Sequence, residues 1–232
     1  MKNPFFKGLS HGIPIALGYL SVSFGFGITA VGLGISLWDA VLISLTNLTS
    51  AGQAAGVEII AAAGGLVEMM LTQLVINIRY ALMGFSLSQK LDQSFTTPKR
   101  LLLSFGITDE VFAVAASQEG ELSARYMAGL ITLPIIGWTS GTFLGAAAGS
   151  FLPKDITDAM GIVLYGMFLA IIVPPARKER SVLAVVLIAA ACSVVFKYLL
   201  TFISGGFAII LSAIIASVIC AALFPVKEEG EQ

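Results

Sequence analysis

Two polar, glycine-bearing stretches interrupt apolar segments that are otherwise long enough to cross a bilayer: Thr46-Asn47-Leu48-Thr49-Ser50-Ala51-Gly52-Gln53 and Gly106-Ile107-Thr108-Asp109-Glu110. Lipid cannot satisfy the N–H and C=O groups of irregular backbone, so a break at membrane depth survives only where protein or a water-filled cavity surrounds it. The chain must therefore fold around its own interruptions. Short or broken apolar segments of this kind point to a route for solute or protons.

The apolar background is what gives the breaks meaning. Of 232 residues, 57% are hydrophobic and 12% charged, and the mean hydropathy is +0.93. Soluble domains carry roughly a quarter charged residues. The fold class expected is an all-α polytopic membrane protein forming one integral membrane domain over 1–232. A net charge of −1 gives no field to attract nucleic acid. Lys2 and Lys7 precede an apolar run that continues to about Leu33 without a small-x-small cleavage site, which predicts a retained first helix rather than a leader. Cys192 and Cys220 lie far apart in apolar runs and read as free, packed thiols.

A spanning helix needs about 20 mostly apolar residues, which predicts segments near 12–33, 38–62, 63–88, 101–118, 126–149, 159–176, 182–203 and 206–225. If all eight cross with the N-terminus inside, seven loop Lys/Arg lie inside and four (Lys90, Lys99, Arg100, Lys154) outside. If 38–62 and 101–118 instead dip in and return, ten lie inside and only Lys154 outside, Arg79 and Lys197 being within helices. The positive-inside rule thus favours six crossings, two re-entrant elements and cytoplasmic termini. The first hairpin then opens outward and the second inward, with their tips near the midplane. This is the geometry of an inverted-topology transporter.

The candidate site collects at the interruptions. Ser50 and Gly52 let a backbone or solute come close, and Gln53 can donate and accept; a half-helix starting here would offer free N–H groups to a carboxylate, or the same residues could serve as interhelical glue. Asn77 and Arg79 lie deep in the third segment. Arginine at depth must face the interior and be paired. Glu68 and Lys90 share its helix face but lie about 16 Å away along the axis, so the partner must come from another element. Asp109 and Glu110 after Thr108 are the acids at comparable depth, for a structural pair with Arg79, a substrate ammonium or a proton, and Arg79 could instead meet a substrate carboxylate directly. Gly137, Gly141, Gly145 and Gly149 recur every four residues and predict a packing face, and Ser212, Ala216 and Cys220 form a similar face. Lys197 is expected to snorkel to the outer interface, and His11 to sit at the membrane boundary. No cofactor or metal site is expected, because there is one histidine and no His-Glu-x-x-His, Walker A or Gly-x-Ser-x-Gly pattern. Nor is an enzyme.

The same residues resemble the AzlC/YgaZ family, the large subunit of bacterial branched-chain amino-acid exporters. The matching elements are Gly12, Pro14, Gly18 and Phe24-Gly25 in the first helix, Ser50-Ala51-Gly52-Gln53, Asn77-x-Arg79-x-x-Leu82-Met83-Gly84, Thr108-Asp109-Glu110-x-Phe112, and Tyr165-Gly166-Met167-Phe168-Leu169-Ala170. Many members carry an acidic-aromatic pair near the start of the Phe168 segment, where this chain has Asp158 followed by Ala159. The resemblance implies export of leucine, isoleucine, valine or analogues across a bacterial cytoplasmic membrane, together with a small hydrophobic AzlD/YgaH-type subunit. Proton coupling fits a chain without a nucleotide-binding segment. The residues alone support a secondary transporter with an internal charge network, the alternatives being a channel or uniporter for another small solute, or a structural subunit whose companion carries the pathway.

Overall fold

Asn3 opens the first helix: its side-chain oxygen accepts the Phe5 N–H, and Pro4 has a φ already suited to a first turn. Helix α1 (Pro4–Gly32) therefore begins well before residue 12, since hydropathy marks the membrane-immersed part of a helix and not its cap. The computed structural model describes residues 3–149, 151, 166, 169 and 172–225. Lys2, Lys154, Asp158, Lys227 and most of the 159–176 segment lie outside the described residues; 172–178 are helical.

The elements that follow are α2 (Leu37–Thr46), α3 (Ala51–Ala61), α4 (Leu66–Ser88), α5 (Thr97–Ser104), α6 (Asp109–Ala116), α7 (Ala124–Gly149), α8 (Arg180–Tyr198) and α9 (Gly205–Leu223). Helices α1, α4, α7, α8 and α9 are each long and apolar enough to span a bilayer. The described chain is an all-helical polytopic membrane protein, and both interrupted segments are discontinuous helices.

Helices α1 and α7 form the most extensive pair and run parallel. Gly129 faces the Phe5 carbonyl, Gly137 that of Ala16, Gly141 that of Leu20 and Gly145 that of Phe24, so both residue numbers rise together. A Cβ at any of these four would collide with backbone oxygen, and Gly8, Gly12 and Gly27 play the same part from α1. The partner of the glycine stripe is thus the first helix, with glycine on both faces. Gly149 is looser, its would-be Cβ lying 3.4 Å from Ile28 Cα.

Each interruption reverses the chain. In the first hairpin Gln53 donates to Ser44 Oγ at 2.8 Å, and Val57 clusters with Ala40, Phe26 and Ala30. Helices α2 and α3 therefore run antiparallel, both opening at the C-terminal end of α1. In the second, Gly106 abuts Ile131, about two turns into α7. Ala124 N–H bonds Ser94 Oγ before α5 begins, and Lys90 Nζ bonds the Ala116 and Gln118 carbonyls at and just past the end of α6, at 2.9, 2.7 and 2.6 Å. This hairpin opens at the N-terminal end of α7, opposite the first. Helix α4 connects the two ends. At its start the buried Glu68 accepts from Ser204 Oγ at 2.5 Å and from the Gly206 N–H at 2.9 Å, holding the N-terminus of α9. Gly206, Ser212, Ala216 and Cys220 form the buried face of α9.

The glycine contacts lead to a comparison of alanine substitutions. Gly145→Ala places a methyl group against the Phe24 carbonyl and should lower stability by about 2 kcal/mol, whereas Gly149→Ala meets ordinary van der Waals distances and should be near neutral. The thermal midpoints of the two purified variants in one detergent decide this, and equal values would mean that the α1–α7 approach is looser than described.

Candidate functional site

Helix α6 starts at the second interruption because Thr108 caps it, its Oγ1 accepting the Val111 N–H at 3.4 Å. Asp109 and Glu110 then occupy the first turn, where the positive end of the helix dipole favours carboxylates. Successive helical residues diverge by about 100°, and the two acids take different partners. Asp109 Oδ2 lies 2.7 Å from Arg79 Nη1. Glu110 is hydrogen-bonded by the Tyr19 hydroxyl from α1, which also meets Thr108 Oγ1 at 2.6 Å. The Arg79 guanidinium carbon stands 5.1 Å from the Tyr80 ring centroid, and Nη2 donates toward the Tyr80 oxygen at 3.5 Å. Contact with the aromatic ring adds to the cost of removing this cation.

These groups border a cavity of about 320 Å³ where the two hairpin tips meet, near the lower end of the roughly 300–1,000 Å³ usual for small-molecule sites. Its polar wall is Ser50, Tyr19, Arg79, Tyr80, Thr108, Asp109 and Glu110, and its apolar wall Leu48, Ala51, Ile76, Trp138 and Ile172. A smaller adjoining hollow is shared by Thr46, Asn47 and Thr49 of one tip and Ser104, Phe105 and Ile107 of the other. The side chains of Arg79 and Asp109 are 43% and 46% exposed, so the pair opens onto the cavity. Ser50 has φ +28° and ψ −69° with no side-chain cap bond, a strained conformation for a non-glycine residue and worth about 1–3 kcal/mol. The strain lies at the tip that borders the cavity.

Of the sequence-expected site residues, Ser50, Arg79, Thr108, Asp109 and Glu110 come together on this wall. Gly52, Gln53 and Asn77 do not line the cavity and lie in the layer behind it. Gln53 is 1% exposed, and both ends of its amide are engaged, with Ser44 Oγ and with the Trp138 Nε1–H at 2.8 Å. Gly52 leaves room for Thr49, Gln73 and Asn77. Its carbonyl accepts from Gln73 Nε2 at 2.7 Å, and Asn77 donates to Gln73 Oε1 at 2.9 Å. Together they fasten α3 to α4. Composition gave no hint of Tyr19 and Trp138, whose rings meet edge to face at 5.2 Å. The available signal was position: both are polar aromatics near the middle of a spanning helix, away from the interfacial belts where such residues usually sit.

Away from the cavity, His11 Nδ1 pairs with the Tyr126 hydroxyl at 2.9 Å near the start of both long helices. Lys197 lies over the Tyr198 ring at the C-terminal end of α8. Both cysteines are free. Among the described residues no group of His, Cys, Asp and Glu is arranged to hold a metal ion.

A model of the AzlC protein family matches residues 14–152, a span holding every cavity residue named above except Ile172. Inner membrane protein YgaZ of Escherichia coli (strain K12) is 30% identical over 184 residues, covering 76% of this chain and 75% of the relative. An uncharacterized membrane protein of Archaeoglobus fulgidus is 34% identical over 185 residues, 78% of this chain and 80% of its own. Branched-chain amino acid transport protein AzlC of Bacillus subtilis (strain 168) is 24% identical over 179 residues, 76% of this chain and 69% of its own. No solved structure matches.

The division of partners between the two acids can be measured. Arg79→Gln and Asp109→Asn each strand one charge, so the double variant should be more stable than the sum of the single losses, by between about 0.5 and 3 kcal/mol. Arg79→Gln with Glu110→Gln should be close to additive, because Glu110 is held by Tyr19. Thermal unfolding of the unaltered protein and the five variants in detergent gives both interaction energies. Equal coupling in both cycles would mean that Arg79 serves the two carboxylates alike.

Proposed function

The chain belongs to the AzlC protein family, and on that premise we propose that it is a secondary transporter exporting branched-chain and other apolar amino acids across the cytoplasmic membrane. The observation that carries this reading is the cavity between the hairpin tips, charged on one side and apolar on the other. A zwitterion with a hydrocarbon side chain is complementary to such a surface. Its carboxylate would meet the first backbone N–H groups of α3 at Ser50 and Ala51, which lack intrahelical partners by construction. Its ammonium would meet Glu110, since Asp109 is already engaged by Arg79. The side chain would lie against Leu48, Ile76 and Trp138. The printed name of the Bacillus subtilis relative, a branched-chain amino acid transport protein, supports the substrate class.

Transport follows if the cavity opens alternately along one hairpin and then the other while α1 and α7 stay fixed. The hairpins enter from opposite ends of that pair, so movement of either one uncovers the cavity to one side. We propose proton coupling, cytoplasmic termini and a small hydrophobic AzlD/YgaH-type subunit as parts of the same reading. Charge asymmetry supports the orientation, with Lys90, Lys99, Arg100 and Arg125 all at the end where the second hairpin opens.

Counterflow of labelled L-leucine in proteoliposomes tests this directly, with the chain alone and with an AzlD/YgaH-type subunit. Leucine should exchange, and an imposed pH gradient should accumulate it. Arg79→Ala should cut the rate roughly tenfold or more, as expected when a partly desolvated charge loses its partner. Equilibration without accumulation would identify a channel or uniporter. Absence of leucine movement under every condition would remove the amino-acid reading.

A further inference from the structure

We infer that Glu110 is the carboxylate for which a proton and the substrate's ammonium group compete, so that loading one expels the other; the inference rests on the transport reading above. Three features of the site carry it. Arg79 and Asp109 neutralise each other at 2.7 Å. Among the described residues Glu110 has no basic group within salt-bridge distance, and its partner is the neutral hydroxyl of Tyr19. Glu110 also borders the cavity itself. The described wall therefore carries one negative charge more than its positive charges balance, and a carboxylate at membrane depth is costly unless something neutralises it. A proton can do so, and so can an ammonium group. One carboxylate does not hold both.

Among the described residues, the groups facing Glu110 leave the competition to these two species. Helix α1 presents Tyr19, α4 presents Arg79 and Tyr80, and α6 itself presents Asp109. Helix α7 contributes Trp138, the first hairpin tip Leu48, Ser50 and Ala51, and the 172–178 helix Ile172, none of which titrates. The exchange balances simply. When substrate arrives, the O–H bond of the neutral Glu110 acid breaks, the proton leaves through cavity water, and an ammonium N–H bonds to the carboxylate. Release reverses both changes, so one substrate leaves as one proton enters. Tyr19 can donate to the carboxylate or accept from the acid, and so holds Glu110 to α1 in either state. It is a positioning residue.

The experiment is titration of the purified full-length protein with L-leucine across a pH series, by calorimetry in buffers of different ionisation enthalpy. Leucine binding should release up to about one proton. Lowering the pH should weaken leucine binding, its dissociation constant rising by as much as roughly tenfold per pH unit in the limit of full competition. 4-Methylpentanoate, which is leucine without its amino group, should release none. Glu110→Gln mimics the protonated acid, so its leucine binding should be weak and free of proton release. Tyr19→Phe should retain proton release with a shifted midpoint. Leucine binding to the unaltered protein without pH dependence or proton release would overturn the inference and leave the transport reading standing. Undiminished proton release in Glu110→Gln would place the exchange on another group. A protein that binds no leucine at all would remove both.

Discussion

The close approach of α1 and α7, glycine against backbone along most of their length, is the contact on which the rest depends. Transmembrane helices gain no hydrophobic advantage by meeting in lipid, and associate through packing and hydrogen bonds. Seven glycines with no room for a Cβ, four on α7 and three on α1, bring the two backbones together over several turns. From this one parallel pair Trp138 reaches the first hairpin through Gln53, while Tyr19 reaches the second through Thr108 and Glu110. The two rings touch. Irregular backbone that lipid would reject is thereby held against a rigid support from both ends of the bundle.

Helix α4 does the complementary work. Its three charged positions, Glu68, Arg79 and, just past its end, Lys90, are each eleven residues apart and lie along one face. Each serves a different helix terminus: Glu68 the N-terminus of α9, Arg79 the first-turn Asp109 of α6, and Lys90 the last carbonyls of α6. The acid sits at a positive helix end and the lysine at a negative one, as the dipole favours. Hence α4 is mostly apolar on its outer side, with Leu74, Ile78, Leu82 and Phe85 exposed, yet carries the charge that fixes the hairpin ends.

Much of this was legible in the sequence, for identifiable reasons. Polar residues with glycine inside an apolar run break helices, so both discontinuities could be placed within a few residues. An arginine at depth must find an acid, and the choice narrows to Asp109 or Glu110 before any coordinates exist. Which of the two it takes depends on helix phase after Thr108, and hydropathy does not encode that phase. The same holds for the direction of Gln53. The conformation at Ser50 sets the rotation of α3, and it turns the amide toward Ser44 and Trp138 and away from the cavity. The glycine stripe of α7 announced close packing but not its partner, because Gly8, Gly12 and Gly27 are irregularly spaced and blend into an apolar run. Tyr19 and Trp138 carry no such signal, because one polar aromatic in a span reads as packing until its partners are known.

Alternating access needs the two hairpins to enter from opposite faces, and accessibility to a membrane-impermeant thiol reagent measures that most directly. In a chain with Cys192 and Cys220 replaced, single cysteines at Ala62, Thr96 and Glu121 occupy exposed positions at the open ends of the two hairpins. A cysteine at 62 should be labelled only from outside intact cells, and those at 96 and 121 only once the cytoplasmic side is opened. Labelling of 62 and 96 from the same side, or of 96 and 121 from opposite sides, would contradict that arrangement.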